Sequence, residues 1–479
     1  MGLMMCAMKK GMWELVLLLL FALTGGCGGS GGSINPADAG ADNITGRANL
    51  IPNTYIVEVQ TFGTSKSEIE LEVAAKAEDC RLHLNGEILH LLTKAIHGFV
   101  MVLPAGVSPT RFFEYDYVVW VEPDAVAAVD KNFSAGLAVN LPIQQVPPGL
   151  RRINADDPTL LARINGLDGP GERIEVGIAV LDSGIDLAHP DLNVSPLGIN
   201  IVNPGLPPDD VYGHGTHVAG IAAALDNAFG VVGVAPGATL YPVKVLNDTG
   251  YGATSDIITG VDWVAANLDK VAVANMSLHI VYPSSLLQSA LRRVVEAGVV
   301  VVTSAGNRGV DVYGPDLIYN TTDDRAPACY PEVLAVSAMA DYDGRAGGLS
   351  SYGAGALDDT IVGYSNSSST LYPGALWSPP GKAISLAAPG YAILSTVPGG
   401  LYDTKSGTSM AAPHVAGVAA RLIAVRGRDV NLDGISNAAD VTMIRQILIN
   451  GGQVQSQWRM GNTLDPDGNP EPLVDARTI

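Results

Sequence analysis

Positive charge is scarce in this chain. Lysine and arginine number 28 against 48 aspartates and glutamates, a net charge of −20, whereas nucleic-acid recognition needs a basic face. Cysteine is scarcer still, at four in 479 residues. Cys6 lies in an N-terminal apolar segment, Cys27 follows it, and Cys80 and Cys329 fall in segments assigned below to different units. No disulfide framework is available, so stability has to come from a core, with metal ions as the other resource. The apolar run Leu15 to Leu23 is too short to span a bilayer. What the chain does have is 47% hydrophobic residues and 55 glycines, the composition of a folded α/β protein rather than a disordered one.

Lys9-Lys10, the Leu15–Leu23 run and Thr24-Gly25-Gly26-Cys27 together read as an export signal over 1–27. With Gly28 to Ser33 as a flexible tether in a linker over 28–50, it resembles a bacterial lipoprotein signal lipidated at Cys27. The alternative is a plain secretory signal. Either way the expected location is extracytoplasmic, secreted or transiently lipid-anchored at the cell envelope.

Residues 51–130 form a small α+β unit. Thr54–Val59 reads as a strand, Glu68–Ala77 carries helix formers, and Ile96–Val102 and Tyr117–Val121 read as further strands. A linker over 131–143 leads into a larger unit over 144–479. There, apolar β-rich runs recur at Val176–Leu181, Thr239–Val245, Val271–Met276, Val299–Thr303, Val333–Val336 and Ala383–Ala387. Helical stretches follow His214, Thr254, Ser284 and Thr408. Buried strands alternating with helices predict a doubly wound, mostly parallel sheet with helices on both faces. Functional residues of such sheets gather at the carboxyl ends of the strands.

Three segments meet that rule. Asp182 ends the apolar run before Ser183-Gly184, and His214 opens a helix in Gly213-His214-Gly215-Thr216-His217. Ser409 follows the Ser406-Gly407-Thr408 turn at another helix start, with Pro413 expected in the first turn, where its missing N–H costs no helical bond. Gly-Thr-Ser before an apolar run is also an ordinary N-cap, so the serine needs partners. A carboxylate, an imidazole and a hydroxyl so placed are the parts of acyl-transfer catalysis.

The segments Asp182–Asp186, His214–Gly220, Ser304–Asn307 and Gly407–His414 resemble, in sequence and order, the signatures of the subtilisin-like serine proteases. Tyr55-Ile56-Val57, His97-Gly98-Phe99 and Val121-Glu122-Pro123-Asp124 resemble that family's propeptides, which act as folding chaperones and inhibitors. The resemblance implies Ser409 as nucleophile, His214 as general base and acid, Asp182 as its orienting carboxylate and Asn307 as oxyanion donor. His217 and His414 are expected to be structural, and His83, His90 and His97 belong to the prosegment. Ser277 and Leu278 resemble the strand that pairs with substrate, and His279 stands where the family has glycine, either crowding the S1 entrance or facing solvent. Gly250 and Gly252 resemble the opposite rim, Ala305 and Gly306 belong to the substrate site, and Arg325 falls near the S1 floor beside Asp323 and Asp324. The expected P1 preference is broad or aromatic/apolar, with an acidic P1 as the alternative. Cleavage of the precursor is expected between about Val129 and Gln145, which would release the enzyme from an anchor on Cys27.

Two calcium sites are expected. The turn after the His214 helix resembles a family calcium loop, which would use the carbonyls of Leu225, Phe229 and Val231 with the side chains of Asn227, Asp191 and Gln144; a tight turn capped by Asn227 is the alternative. Asp429, Asn431, Asp433, Ile435, Asn437 and Asp440 have the spacing of an EF-hand loop, with Asp at the last position as in dockerin repeats; a solvated Asx-rich turn is the alternative. The leading expectation is an exported serine endopeptidase made as an autoinhibited precursor. Its partners would be protein or peptide substrates and its own propeptide, with structural Ca²⁺ and a monomeric state. The competing class is a dockerin-like scaffold-binding protein with incidental or lost proteolysis.

Overall fold

The computed structural model describes residues 49–130, 138–169, 171–348, 357–369, 382–458 and 470–479, with the backbone alone at 133–134, 371–372 and 381. The signal, Cys27 and most of the 28–50 linker lie outside the described residues.

The N-terminal unit is an antiparallel sheet of β1 (Leu50–Val59), β2 (Glu87–Leu92), β3 (Gly98–Val102) and β4 (Val118–Ala128), in the order β4-β1-β3-β2, with α1 (Lys66–Leu84) packed against it. Helix α1 is longer at both ends than its helix formers suggest. Ser65 and Glu68 close a capping box at its start, and Asn85 ends it in the left-handed conformation. Val73, Ala77, Cys80 and Leu84, spaced three and four apart, bury one face against Val57, Phe99, Met101 and Phe112. Strand β2 was not evident in the sequence because Glu87–Leu92 has no clean alternation. Gly98 is required for the close approach of β3 to β1, since a Cβ there would lie 2.0 Å from the Val57 carbonyl oxygen.

The larger unit is built on an eight-stranded sheet. Its central path runs through β5 (Gly177–Asp182), β6 (Thr239–Lys244), β8 (Val271–Met276), β10 (Val300–Ser304), β11 (Leu334–Ala340) and β12 (Ile384–Pro389), in the order β12-β11-β10-β8-β5-β6 and all parallel. The short strands Ile199–Asn200 and Thr360–Ile361 complete the edges. Every residue of β5, β8, β10, β11 and β12 is buried, which explains their near-continuous apolar sequence. Helices α2 (His214–Ala223) and α5 (Thr408–Arg426) pack on one another, as do α3 (Thr254–Ala266) and α4 (Ser285–Glu296), covering both faces. Helix α6 (Ala438–Gly451) follows the 429–440 loop and packs on α4 and α5. Cys80 and Cys329 are buried, free thiols in separate units.

The two units share a sheet. The far end of β4 inserts between β7 (Tyr251–Ala253) and β9 (His279–Ile280) of the larger unit, antiparallel to both. On one side Val126, Ala127 and Ala128 face Ala253, Gly252 and Tyr251; on the other, Ala127 and Ala128 face Ile280 and His279.

Candidate active site

Asp182 is the last residue of β5 and His214 the first of α2; both are fully buried. The His214 Nδ1 lies 2.8 and 2.9 Å from the two Asp182 carboxylate oxygens, so Nδ1–H donates to Asp182 and Nε2 is the acceptor face. That Nε2 is buried without a hydrogen-bond partner among the described residues. Ser409 is the second residue of α5; its hydroxyl lies 3.5 Å from the Ser277 carbonyl oxygen, and no hydrogen bond joins it to His214. Asn307 is oriented by its own oxygen, which accepts from the Thr408 N–H at 2.7 Å and the Thr408 hydroxyl at 2.8 Å. This leaves the Asn307 Nδ2 buried and without a partner among the described residues, as a donor waiting for an anionic oxygen would be.

Two supports of this arrangement are not evident in the sequence. The His214 helix begins at Gly213, which has no side chain to cap it, and Asp210 takes over. Its carboxylate accepts from the Gly213 N–H (2.8 Å), the Thr216 N–H (2.9 Å) and both the Thr216 and Ser183 hydroxyls. The aspartate just ahead of Gly213-His214 was the available signal. Pro413 stands in the second turn of α5, not the first, because the helix already begins at Thr408. Its missing N–H therefore leaves the Ser409 carbonyl without its i+4 donor. The Ser277 hydroxyl fills that gap at 2.9 Å, tying the segment after Met276 to the serine. His217 and His414 are buried and bound to the backbone carbonyls of Asp403 and Met410.

The cleft is occupied by the chain's own β4. After Ala128, the Val129 N–H donates to the Gly250 carbonyl at 3.1 Å, and Asp130 then turns its side chain into the pocket walled by Ala305, Gly306 and His279. Ser277 and Leu278 form the link between β8 and β9. His279 lines this pocket, and Arg325 is there too, together with Arg308 and Asn366, which the sequence did not single out.

The sequence pattern described as the Subtilase family matches residues 174–459. The chain belongs to the subtilase family. Subtilisin E of Bacillus subtilis (strain 168) is 39% identical over 280 residues, covering 58% of this chain and 61% of that protein. Subtilisin Savinase of Lederbergia lenta is 40% identical over 278 residues, covering 58% and 84%. Subtilisin of Bacillus pumilus is 38% identical over 280 residues, covering 58% and 85%.

In this subtilase Gln144, Asp191, Leu225, Asn227, Phe229 and Val231 surround the turn after α2. The buried Asp191 carboxylate accepts from the Val231 N–H and the Asn227 Nδ2, both at 2.9 Å, and burial pushes its carboxyl up to about 7. Gln144 Oε1 accepts from the Asn227 N–H at 2.8 Å. Gly230 passes so close that a Cβ would lie 2.2 Å from Asp191. Among the described residues no cationic side chain pairs with the buried Asp191 carboxylate, and such a carboxylate suits a hard cation. In the 429–440 loop the Asp429 carboxylate accepts from the Asp433 and Gly434 N–H groups, and Asp440 accepts from Asn431 and Asn437. Asn437 caps α6, and the Ile435 carbonyl accepts from its side chain. Among the described residues, the tight carboxylate cluster is elsewhere, at Asp341, Asp343 and Asp358.

Proposed function

We propose that this subtilase is a serine endopeptidase made as an autoinhibited precursor, exported from the cell and stabilised by calcium. The observation that carries this is a buried Asp182–His214 pair and an unpartnered Asn307 donor beside Ser409, with a strand of the chain's own prosegment laid along the cleft. Ser409 attacks the scissile carbonyl while His214 Nε2 takes its proton. Asp182 stabilises the imidazolium, and the Asn307 amide and the Ser409 N–H stabilise the oxyanion. His214 then protonates the leaving amine, and water reverses the sequence to free the acyl group. Labelling with a fluorophosphonate serine probe tests the reading: it should attach to Ser409. Full hydrolytic activity in a Ser409→Ala protein free of wild type would overturn it.

The inhibitory role of 51–130 rests on the same strand and on two further anchors. Asp124 accepts from the N–H and hydroxyl of Ser255 at the start of α3, and Glu122 accepts from the hydroxyl of Ser284, the N-cap of α4. Burial pushes both carboxyls up to about 7. In the released prosegment they return to the ordinary range near 4, so binding takes up protons. Affinity is then complete below about pH 4 and is lost as pH rises toward 7. The cleaved, non-covalent complex should dissociate at least about tenfold more readily at pH 8 than at pH 5, read by size-exclusion rather than by activity. Equal dissociation at both would remove the carboxyls from the account.

The 429–440 loop is proposed as a calcium site of structural role, as are the six residues around Asp191. A cation that binds only the folded state raises stability by about 1.4 kcal/mol per tenfold excess over its dissociation constant. Asp433→Ala with Asp440→Ala should flatten the rise of melting temperature with calcium, leaving only the Asp191 site to respond. Loss of Asp440 also removes an α6 cap, so the slope, not the absolute temperature, is the measure; an unchanged slope would make the loop a solvated turn. The packing of α6 on α4 and α5 supports reading the loop as part of the catalytic unit rather than as a separate scaffold-binding module.

A further inference from the structure

The pocket beside Asn307 is furnished for an anion. Asp130 is buried there, with one carboxylate oxygen 3.2 Å from the His279 Nδ1 and the other accepting the Asn307 N–H at 3.0 Å. Arg325 and Arg308 complete the lining, and the Arg325 Nε and His279 Nε2 are buried without hydrogen-bond partners among the described residues. Asp323 and Asp324, the acids next to Arg325 in sequence, are engaged elsewhere. Asp323 accepts from the Thr321 hydroxyl and Asp324 from the Asn320 and Thr321 N–H groups. The positive charge of Arg325 is therefore left to the pocket. The wall is fixed as well: Asn366 donates to the Ala305 carbonyl at 2.8 Å and accepts from the Arg308 and Val310 N–H groups. A Cβ on Gly306 would lie 2.4 Å from that amide.

Strand register carries Asp130 into this pocket. In the ladder Val126, Ala127 and Ala128 pair in turn, Val129 bonds to Gly250, and Asp130 is the next residue, level with Asn307. We propose that the S1 pocket selects an acidic side chain at P1, and that the precursor cuts itself after Asp130. This rests on the serine-endopeptidase reading and replaces the broad or aromatic/apolar preference expected from resemblance. An apolar P1 would fill the space but leave His279 and two arginines desolvated with no charge opposite them, whereas the Asp130 carboxylate pairs with His279 and puts a negative charge in the pocket that Arg325 and Arg308 line. In the self-cleavage step the Asp130 carbonyl carbon bonds to Ser409 Oγ as its bond to the Lys131 nitrogen breaks. The proton taken by His214 goes to the new Lys131 amine, and water then releases the Asp130 carboxylate.

Two measurements test this. Mass spectrometry of the prosegment released by the full chain should give a C-terminus at Asp130. Peptides of identical sequence carrying Asp, Glu, Leu or Phe at P1 should show kcat/KM at least about tenfold higher for Asp than for Leu or Phe. The ratio should collapse in Arg325→Met. Should that variant not fold, the wild-type panel and the prosegment terminus decide alone. Faster cleavage of the Phe or Leu peptide, or a prosegment ending elsewhere, overturns the acidic pocket while leaving the serine mechanism intact. Absence of cleavage of every peptide together with absence of Ser409 labelling overturns the underlying reading.

Discussion

Ser409→Ala should lower peptide hydrolysis by about 10⁶-fold, the loss known for subtilisin itself when its nucleophile is removed. The structure explains why so small a deletion should act on chemistry alone. The hydroxyl makes one long contact, 3.5 Å to the Ser277 carbonyl, whereas the backbone of Ser409 is held by the Ser277 hydroxyl and the Asn307 amide is held by Thr408. The variant should therefore melt like the parent and accumulate as an uncut precursor. His214→Ala added to it should cost little more, because serine and imidazole act as one unit. A melting temperature several degrees lower, with hydrolysis lost in proportion to folded protein, would instead make Ser409 a packing residue.

The second large effect concerns stability. Arg421 is fully buried in the middle of α5, and no carboxylate pairs with it among the described residues. Its guanidinium donates instead to the carbonyls of Val234, Leu161 (3.1 Å), Ala155 (3.2 Å) and Ala162 (3.3 Å), pinning two connecting segments to the helix that carries Ser409. Desolvation holds its pKa down at about 10, so it is still charged at neutral pH. Arg421→Met would relieve the buried charge but strip donors from several buried carbonyls, each worth about 1–3 kcal/mol when left unmet. We expect a net loss of about 2–4 kcal/mol, with Arg421→Lys also destabilised because an ammonium cannot span the same fan of acceptors. Thermal unfolding checks both; a melting temperature unchanged in Arg421→Met would mean that water replaces the guanidinium at no cost.

Arg421 also marks what the sequence conceals. Asp182, His214, Ser409 and Asn307 were readable because each lies in a short segment whose local turn or strand end dictates its position. The parallel sheet was readable because its strands are buried on both faces and hence apolar throughout. Arg421, by contrast, reads as the cation that ends an apolar stretch, since nothing local says that four carbonyls converge on it. In the pocket beside Asn307, His279 and Arg325 are reached by resemblance, but Asp130 and Arg308 are hidden for the same reason. Asp130, His279, Arg308 and Arg325 are spread over almost two hundred residues, and only the strand register of β4 brings the first to the others. Pro413 lies a turn deeper in the helix than residue type suggests, because Thr408 already has helical backbone.

The insertion of β4 makes the first product of this subtilase an unusual one. Cutting a peptide bond ordinarily frees both halves by diffusion. Here the acyl half would remain laddered to β7 and β9 and anchored at two helix starts, so hydrolysis and departure are separate events with separate barriers. Before the cut, tethering gives the prosegment a high effective concentration at its own cleft; after it, that advantage disappears and ordinary dilution governs. On the proposed reading, freshly cut enzyme would be product-inhibited one to one, and activity in a population would lag behind cleavage and then rise steeply, because each free molecule would digest the inhibitors of the rest.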